Sequence, residues 1–159
     1  MFCIDRMPEC LTAALPALGI DPGTLELACF ADRDRAGHPA QIWLMADRTN
    51  VYILSGEARA EEGSPTVWNT RTLEQYPLAG VRHFAVEERR STGILLAEQE
   101  GGAVLFASFT NSCLSSVRIF ARYLEKLRED RPLEIAPEDR QEERFCPTCG
   151  MRYPDPVRK

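Results

Sequence analysis

Two cysteines near the C-terminus, Cys146 and Cys149, are the residues whose type and spacing speak most specifically of chemistry. In Cys146-Pro147-Thr148-Cys149-Gly150 two thiolates separated by two residues can grip one zinc ion from a tight turn. Pro147 stiffens the first half of that turn. Gly150 permits the unusual φ that follows and lets backbone N–H groups approach sulfur. Structural zinc takes four ligands, so Cys146 and Cys149 make half of a zinc-ribbon site. A second Cys-x-x-Cys ordinarily lies ~15–20 residues downstream, and the sequence stops at Lys159. The simplest expectation is a piece of a longer protein that ends before its second knuckle. Two other completions stay open. The knuckles of two copies can pair in a homodimer, or Cys3 and Cys10, or His38 or His83, can supply the missing ligands. The alternative is a dithiol without metal. A thioredoxin-like redox site does not fit, because that motif opens a helix within a βαβ pattern.

Other chemistry-bearing residues lack partners that spacing can show. His38 sits in a polar loop, and His83 alternates with Arg82 and Phe84 in a strand pattern; each reads as a surface or structural histidine. No Gly-x-x-x-x-Gly-Lys-Ser/Thr phosphate loop and no Gly-x-Ser-x-Gly elbow occurs. Ser55, Ser91, Ser115 and Ser116 have no base arranged beside them in sequence. Asp32, Asp34 and Asp47 are loop carboxylates, and Glu87 and Glu88 read as solvated. We expect no enzyme in this chain. Cys3, Cys10, Cys29 and Cys113 are scattered among apolar residues and read as small hydrophobes of a reducing compartment.

The 159 residues suffice for one ordinary domain plus a short appendage. Hydrophobic residues make up 44% and charged residues 27%, the balance of a soluble globular protein. The net charge of −5 argues against nucleic acid as a partner, since phosphate binding needs a basic face. No apolar run approaches the ~20 residues that span a bilayer, and no secretory signal opens the sequence. A cytoplasmic location follows as an expectation.

The elements that must position these residues follow from hydrophobic period. Met7 to Leu15 reads as a short helix, with Pro8 in its first turn and Leu11, Ala14, Leu15 and Leu18 at helical spacing for a sheet surface. After Asp21-Pro22-Gly23 the period changes to two. Leu25, Leu27 and Cys29 mark a strand with one buried face. Gln41–Ala46 and Val51–Leu54 form a hairpin around Asp47–Asn50. Polar loops run from Asp32 to Pro39 and from Glu57 to Ser64. Val67–Leu78 and Val81–Glu87 are strand regions, and Trp43, Tyr52 and Trp68 are core or half-buried sheet aromatics. Gly93–Glu98 and Ala103–Phe109 flank Gly101-Gly102, a hairpin signal because tight turns need positive φ. Thr110 or Asn111 then caps a helix whose stripe is Leu114, Val117, Phe120, Ala121, Leu124 and Leu127, with Arg118, Arg122, Glu125 and Lys126 on the wet side. Residues 1–130 thus form the folded domain, 131–144 a charged linker with little to bury, and 145–159 the partial knuckle.

About seven short antiparallel strands followed by one helix predict a mainly β, α+β fold: a small barrel or sandwich capped by a C-terminal helix. That order is the plan of the pleckstrin-homology-like fold. Such folds sometimes bind phosphoinositides through the loop after the first strand. Here Arg33, Arg35 and His38 lie in that loop, but Asp32 and Asp34 alternate with them and cancel most of the field. Inner-membrane lipid headgroups are therefore a weak expectation as partners.

A sheet-plus-helix module, with Phe109-Thr110 leading into Val117–Leu127, then a charged linker and Phe145-Cys146-Pro147-Thr148-Cys149-Gly150, resembles the N-terminal extension of certain bacterial exporter-type ABC transporters. In that family a pleckstrin-homology-like domain precedes a zinc ribbon, the transmembrane helices and the nucleotide-binding domain. The resemblance implies a cytosolic accessory region of a protein that couples ATP hydrolysis to export. Its partners would be other domains of the same transporter or a docking protein. The second cysteine pair of the ribbon is missing from this chain. A free-standing adaptor linked through zinc knuckles, and a small-ligand-binding barrel, are the rival expectations.

Overall fold

The computed structural model describes residues 1–60 and 62–140. The protein is mainly β, with one sheet of eight strands and one long C-terminal helix. The strands are β1 (Phe2–Cys3), β2 (Leu27–Arg33), β3 (Pro39–Ala46), β4 (Asn50–Arg59), β5 (Val67–Pro77), β6 (Val81–Glu88), β7 (Thr92–Gln99) and β8 (Gly102–Thr110). Helix α1 (Glu9–Ala14) precedes β2, and helix α2 (Leu114–Arg128) follows β8. The order across the sheet is β5-β4-β3-β2-β8-β7-β6, antiparallel throughout, with β1 parallel to β2. The barrel alternative gives way here, because the sheet is not closed: β5 and β6 are its two edges.

The junction between β2 and β8 explains the shape. Only Arg33 and Ser108 are in register there. Further back, the same edge of β2 is occupied by β1, with Phe2 opposite Leu27. The sheet therefore divides into a β2–β5 half and a β6–β8 half that enclose a common core. Leu27, Cys29, Leu44 and Val51 from one half meet Leu95, Phe106 and Phe109 from the other. Val117, Phe120, Leu124 and Leu127 of α2 cover them.

β2 differs from the expectation of one buried face, since Ala28 is as fully buried as Leu27 and Cys29. Its second face lies under the N-terminal segment. Met7, Leu11, Leu15, Ile20 and Leu25 pack over Ala28, Trp43, Met45, Tyr52, Leu54 and Trp68. Asp5 ties this segment down, accepting from the Phe30 amide at 2.8 Å and from the Ser116 hydroxyl at 3.1 Å. The β7–β8 turn carries the predicted positive φ, at Gly101 (92°) and Gly102 (143°).

Two further differences concern α2. No side-chain hydrogen bond caps it, and a short 3-10 turn, Asn111–Cys113, leads into it. Thr110 instead donates its amide and hydroxyl to Asp32. The buried stripe is also wider than predicted, for Ile119 and Tyr123 join it. Tyr123 is covered because residues 131–140 turn back onto the helix. Leu133 and Ile135 pack against the core, and Asp139 is 4% exposed. The Tyr123 hydroxyl donates to Asp139 at 2.6 Å and accepts from the Ala136 amide at 3.0 Å. Arg122 reaches the same carboxylate with both terminal nitrogens at 3.2 Å. The stretch read as having little to bury thus supplies a strap, at least as far as Arg140.

Candidate functional site

β4 and β5 run past the end of β3. Glu57, Ala58 and Arg59 pair with Asn69, Trp68 and Val67, whereas the last residue of β4 paired to β3 is Gly56. This overhanging ribbon and the β2–β3 turn are the two walls of an open groove of about 1130 Å³. Its floor includes Ile42, Ile53 and Phe106, and its rim carries Arg33, Arg35, Arg59 and Arg71.

A bulge shapes the β5 wall. Ser55 is opposite Thr72 and Gly56 opposite Thr70, so Arg71 is the extra residue without a partner on β4. A bulge twists a ribbon and re-aims the inserted side chain. Gly56 makes the crossing close: a Cβ there would sit 2.3 Å from the Asn69 carbonyl oxygen and 2.7 Å from the Trp68 ring.

The carboxylates of the groove are all engaged. Glu74 holds Arg35 through both oxygens, and Arg35 also donates to the Tyr76 hydroxyl at 3.1 Å. This clasp crosses from the β2–β3 turn to β5. Glu57 pairs with Arg59. Asp34 accepts from the His38 amide at 2.9 Å and faces His38 Nδ1 at 3.6 Å. The His38 amide, above all, holds the Asp34 carboxyl below the usual range, and the Arg71 charge helps. Partial burial works against the Asp32 carboxylate, yet the Thr110 hydroxyl and amide outweigh it and leave its pKa lowered. By contrast, Arg33, a half-buried residue, makes no side-chain hydrogen bond or ion pair among the described residues, and the exposed Arg71 has only its field on Asp34.

The metal ligands expected from sequence, Cys146 and Cys149, lie outside the described residues. The candidates for completing their site are apart or occupied. His83 Nδ1 is 2.9 Å from Glu125 on α2, while His38 is on the β2–β3 turn. Cys3 and Cys10 are half-buried against the N-terminal cluster. Cys29 and Cys113 are buried; burial, with Asp32 and Asp5 adding to it, pushes the Cys113 thiol up to about 12. Among the described residues no group of three or more His, Cys, Asp or Glu side chains could hold a metal ion. No helix of the described residues is long and apolar enough to cross a membrane.

The sequence places Arg33, Arg35 and His38 in one loop whose field Asp32 and Asp34 are expected mostly to cancel. The structure separates them: Arg35 is clasped, His38 is turned to Asp34, and Arg33 remains in the groove with Arg59 and Arg71, which the sequence reading did not single out. The signal for Arg71 was Gly56, an isolated glycine inside a strand pattern, which indicates a bulge or a close backbone approach. The chain matches no protein-family model. It matches no curated protein either.

Proposed function

We propose that this chain is a non-catalytic interaction module, the cytosolic accessory region of an exporter-type ABC transporter, and that it docks through the groove between the β2–β3 turn and the β4–β5 ribbon. The observation that carries the docking reading is the distribution of charge in that groove. Four guanidinium groups and four carboxylates line it: Arg35 and Arg59 pair with Glu74 and Glu57, Asp32 and Asp34 are held by Thr110 and the His38 amide, and Arg33 and Arg71 make no side-chain hydrogen bond among the described residues, so polar groups of both signs are offered to a partner. An activated nucleophile needs a general base within hydrogen-bond reach. The Ser55 hydroxyl is bonded to Thr72, and the buried thiols are held protonated.

The transporter reading is supported by the order of elements. A seven-strand antiparallel path with a helix directly after the last strand is what a pleckstrin-homology-like domain requires, and the charged stretch to Cys146 and Cys149 follows it. The two thiolates would hold a structural zinc whose other ligands come from outside the described residues. The partners are then other domains of the same transporter, at the cytosolic face of the inner membrane.

Two experiments test these statements separately. The reading frame of the gene beyond the Lys159 codon should continue into a second cysteine pair, apolar spans and a phosphate-binding loop; a stop codon there overturns the transporter assignment. A photo-crosslinking residue at Asn69, on the groove wall, should capture a protein segment in cells. The same residue at Glu100, in the β7–β8 turn, should not. Equal capture from both positions, or none from Asn69, overturns the groove as the docking surface.

A further inference from the structure

The strap is held to the body by side chains. Among the described residues, the backbone-to-backbone hydrogen bonds beyond Pro132 run within the strap itself, from Asp139 to Ala136 and from Arg140 to Pro137. Its bonds to α2 are those of Asp139 with the Tyr123 hydroxyl and Arg122, and of the Ala136 amide with the same hydroxyl. Leu133 and Ile135 add apolar contact with the core. None of these contacts requires strap and helix to belong to one chain.

The turn that joins them is short. α2 ends at Arg128 and Leu133 already rests on the core, so four residues reverse the chain. The Asp130 and Arg131 amides close that reversal on the Leu127 and Lys126 carbonyls. Asp130 does so at φ 54°, the one non-glycine of the described residues with positive φ. Glycine is the usual residue at this position after a helix, because a Cβ there crowds the following carbonyl oxygen. Arg48 tethers the turn from outside, with Asp130 at 3.7 Å and the Arg131 carbonyl at 3.3 Å. A short, strained hinge between a body and a docked segment favours exchange between copies: every contact is kept and the hinge relaxes.

We propose that the face of α2 carrying Arg122 and Tyr123 is an exchangeable docking site, taken reciprocally by the strap, Leu133 to Asp139, of a second copy of this chain.

The strap of the same chain competes at an effective concentration on the order of 1 mM, the value for a short tether. The full chain should therefore be a monomer well below ~1 mM and gain a dimer as that concentration is approached, read by size-exclusion chromatography with light scattering. Deletion of Asp130 and Arg131 leaves the strap too short to fold back, so the dimer should appear at a concentration at least about tenfold lower. The same deletion combined with D139A should be a monomer. D130G relieves the hinge and should move the onset several-fold upward. In the parent dimer, a photo-crosslinking residue at the exposed Glu134 should join α2 of the other copy, read as mixed peptides after isotope-labelled and unlabelled chains are combined. Thermal melts establish that each variant is folded. A folded deletion variant that stays monomeric overturns the proposal, as does a dimer that survives D139A or crosslinks confined to one chain. Where the deletion variant does not fold, the parent and D130G decide: no dimer from the parent at ~1 mM, or the same onset in both, overturns it.

Discussion

Glu125 of α2 closes the edge of β6: its Oε1 accepts from the Phe84 amide at 2.5 Å. The same carboxylate lies 2.9 Å from His83 Nδ1 and is gripped by Arg128 at 3.0 and 2.7 Å. An unpaired strand edge is a template for another strand, and a charged side chain docked on it blocks that use. Glu125→Ala should lower stability by about 1–3 kcal/mol, the usual cost of leaving a partly buried donor unmet. It should also produce concentration-dependent association, read by sedimentation velocity. Glu125→Gln keeps an acceptor for Phe84 and should remain monodisperse at the same concentrations.

The acid limb of stability should depend on Glu125 and Asp32. Burial raises the Glu125 pKa, but the Phe84 amide and Arg128 outweigh it and leave it lowered; Asp32 is lowered by Thr110 in the same way. A carboxyl with a lower pKa folded than unfolded contributes stability that is complete above the unfolded value, ~4 for these groups, and is lost as pH falls below it. Denaturant midpoints measured from pH 7 down to 3 should therefore fall. They should fall less steeply in E125Q, and less steeply again in D32N/E125Q.

The strap on α2 should be separable from the body. Asp139→Ala removes the partner of both the Tyr123 hydroxyl and Arg122. We expect a loss of about 1–3 kcal/mol and, more specifically, faster hydrogen exchange at the Ala136 amide, whose acceptor is Tyr123. Tyr123→Phe should give the same local effect. Burial and Asp139 raise the Tyr123 pKa, so its stabilising share is complete below the unfolded value of ~10 and fades as pH rises above it.

Gly56→Ala should be costly although Gly56 has an ordinary φ. The new methyl would meet the Asn69 carbonyl at 2.3 Å, a backbone atom that moves only if the bulge moves. A loss of at least ~2 kcal/mol is expected, read from denaturant midpoints. Gly37→Ala, at a positive-φ turn with open space around it, serves as a comparison: strain there should cost stability but leave the β4–β5 ribbon in place.

The strands and the two helices were legible because each carries a period that only one geometry satisfies. Leu114, Val117, Phe120, Leu124 and Leu127 can share a face only on a helix, and Gly101-Gly102 between apolar runs can hardly be other than a turn. What escaped was set by tertiary partners. Ala28 looks like the solvent face of an alternating strand until α1 is laid over it. Asp139 looks like one charge in a polar stretch, and nothing local says that Tyr123 will bury it. Of the groove, Arg33 and Arg35 could be picked out in sequence. Their opposite fates depend on Glu74, thirty-nine residues beyond Arg35, and on a bulge at Arg71. Charge alternation suggested that Asp32 and Asp34 cancel the loop arginines; Arg35 is matched instead by Glu74, and Arg33 makes no ion pair among the described residues.

The covering of β2–β5 by the N-terminal segment has a consequence for how the molecule can be cut. Trp43, Tyr52 and Trp68, nearly hidden beneath Met7, Leu11 and Leu15, would become a bare aromatic surface if the first twenty residues were trimmed or clipped. Loss of that small lid would make the body adhesive long before the principal core under α2 gave way.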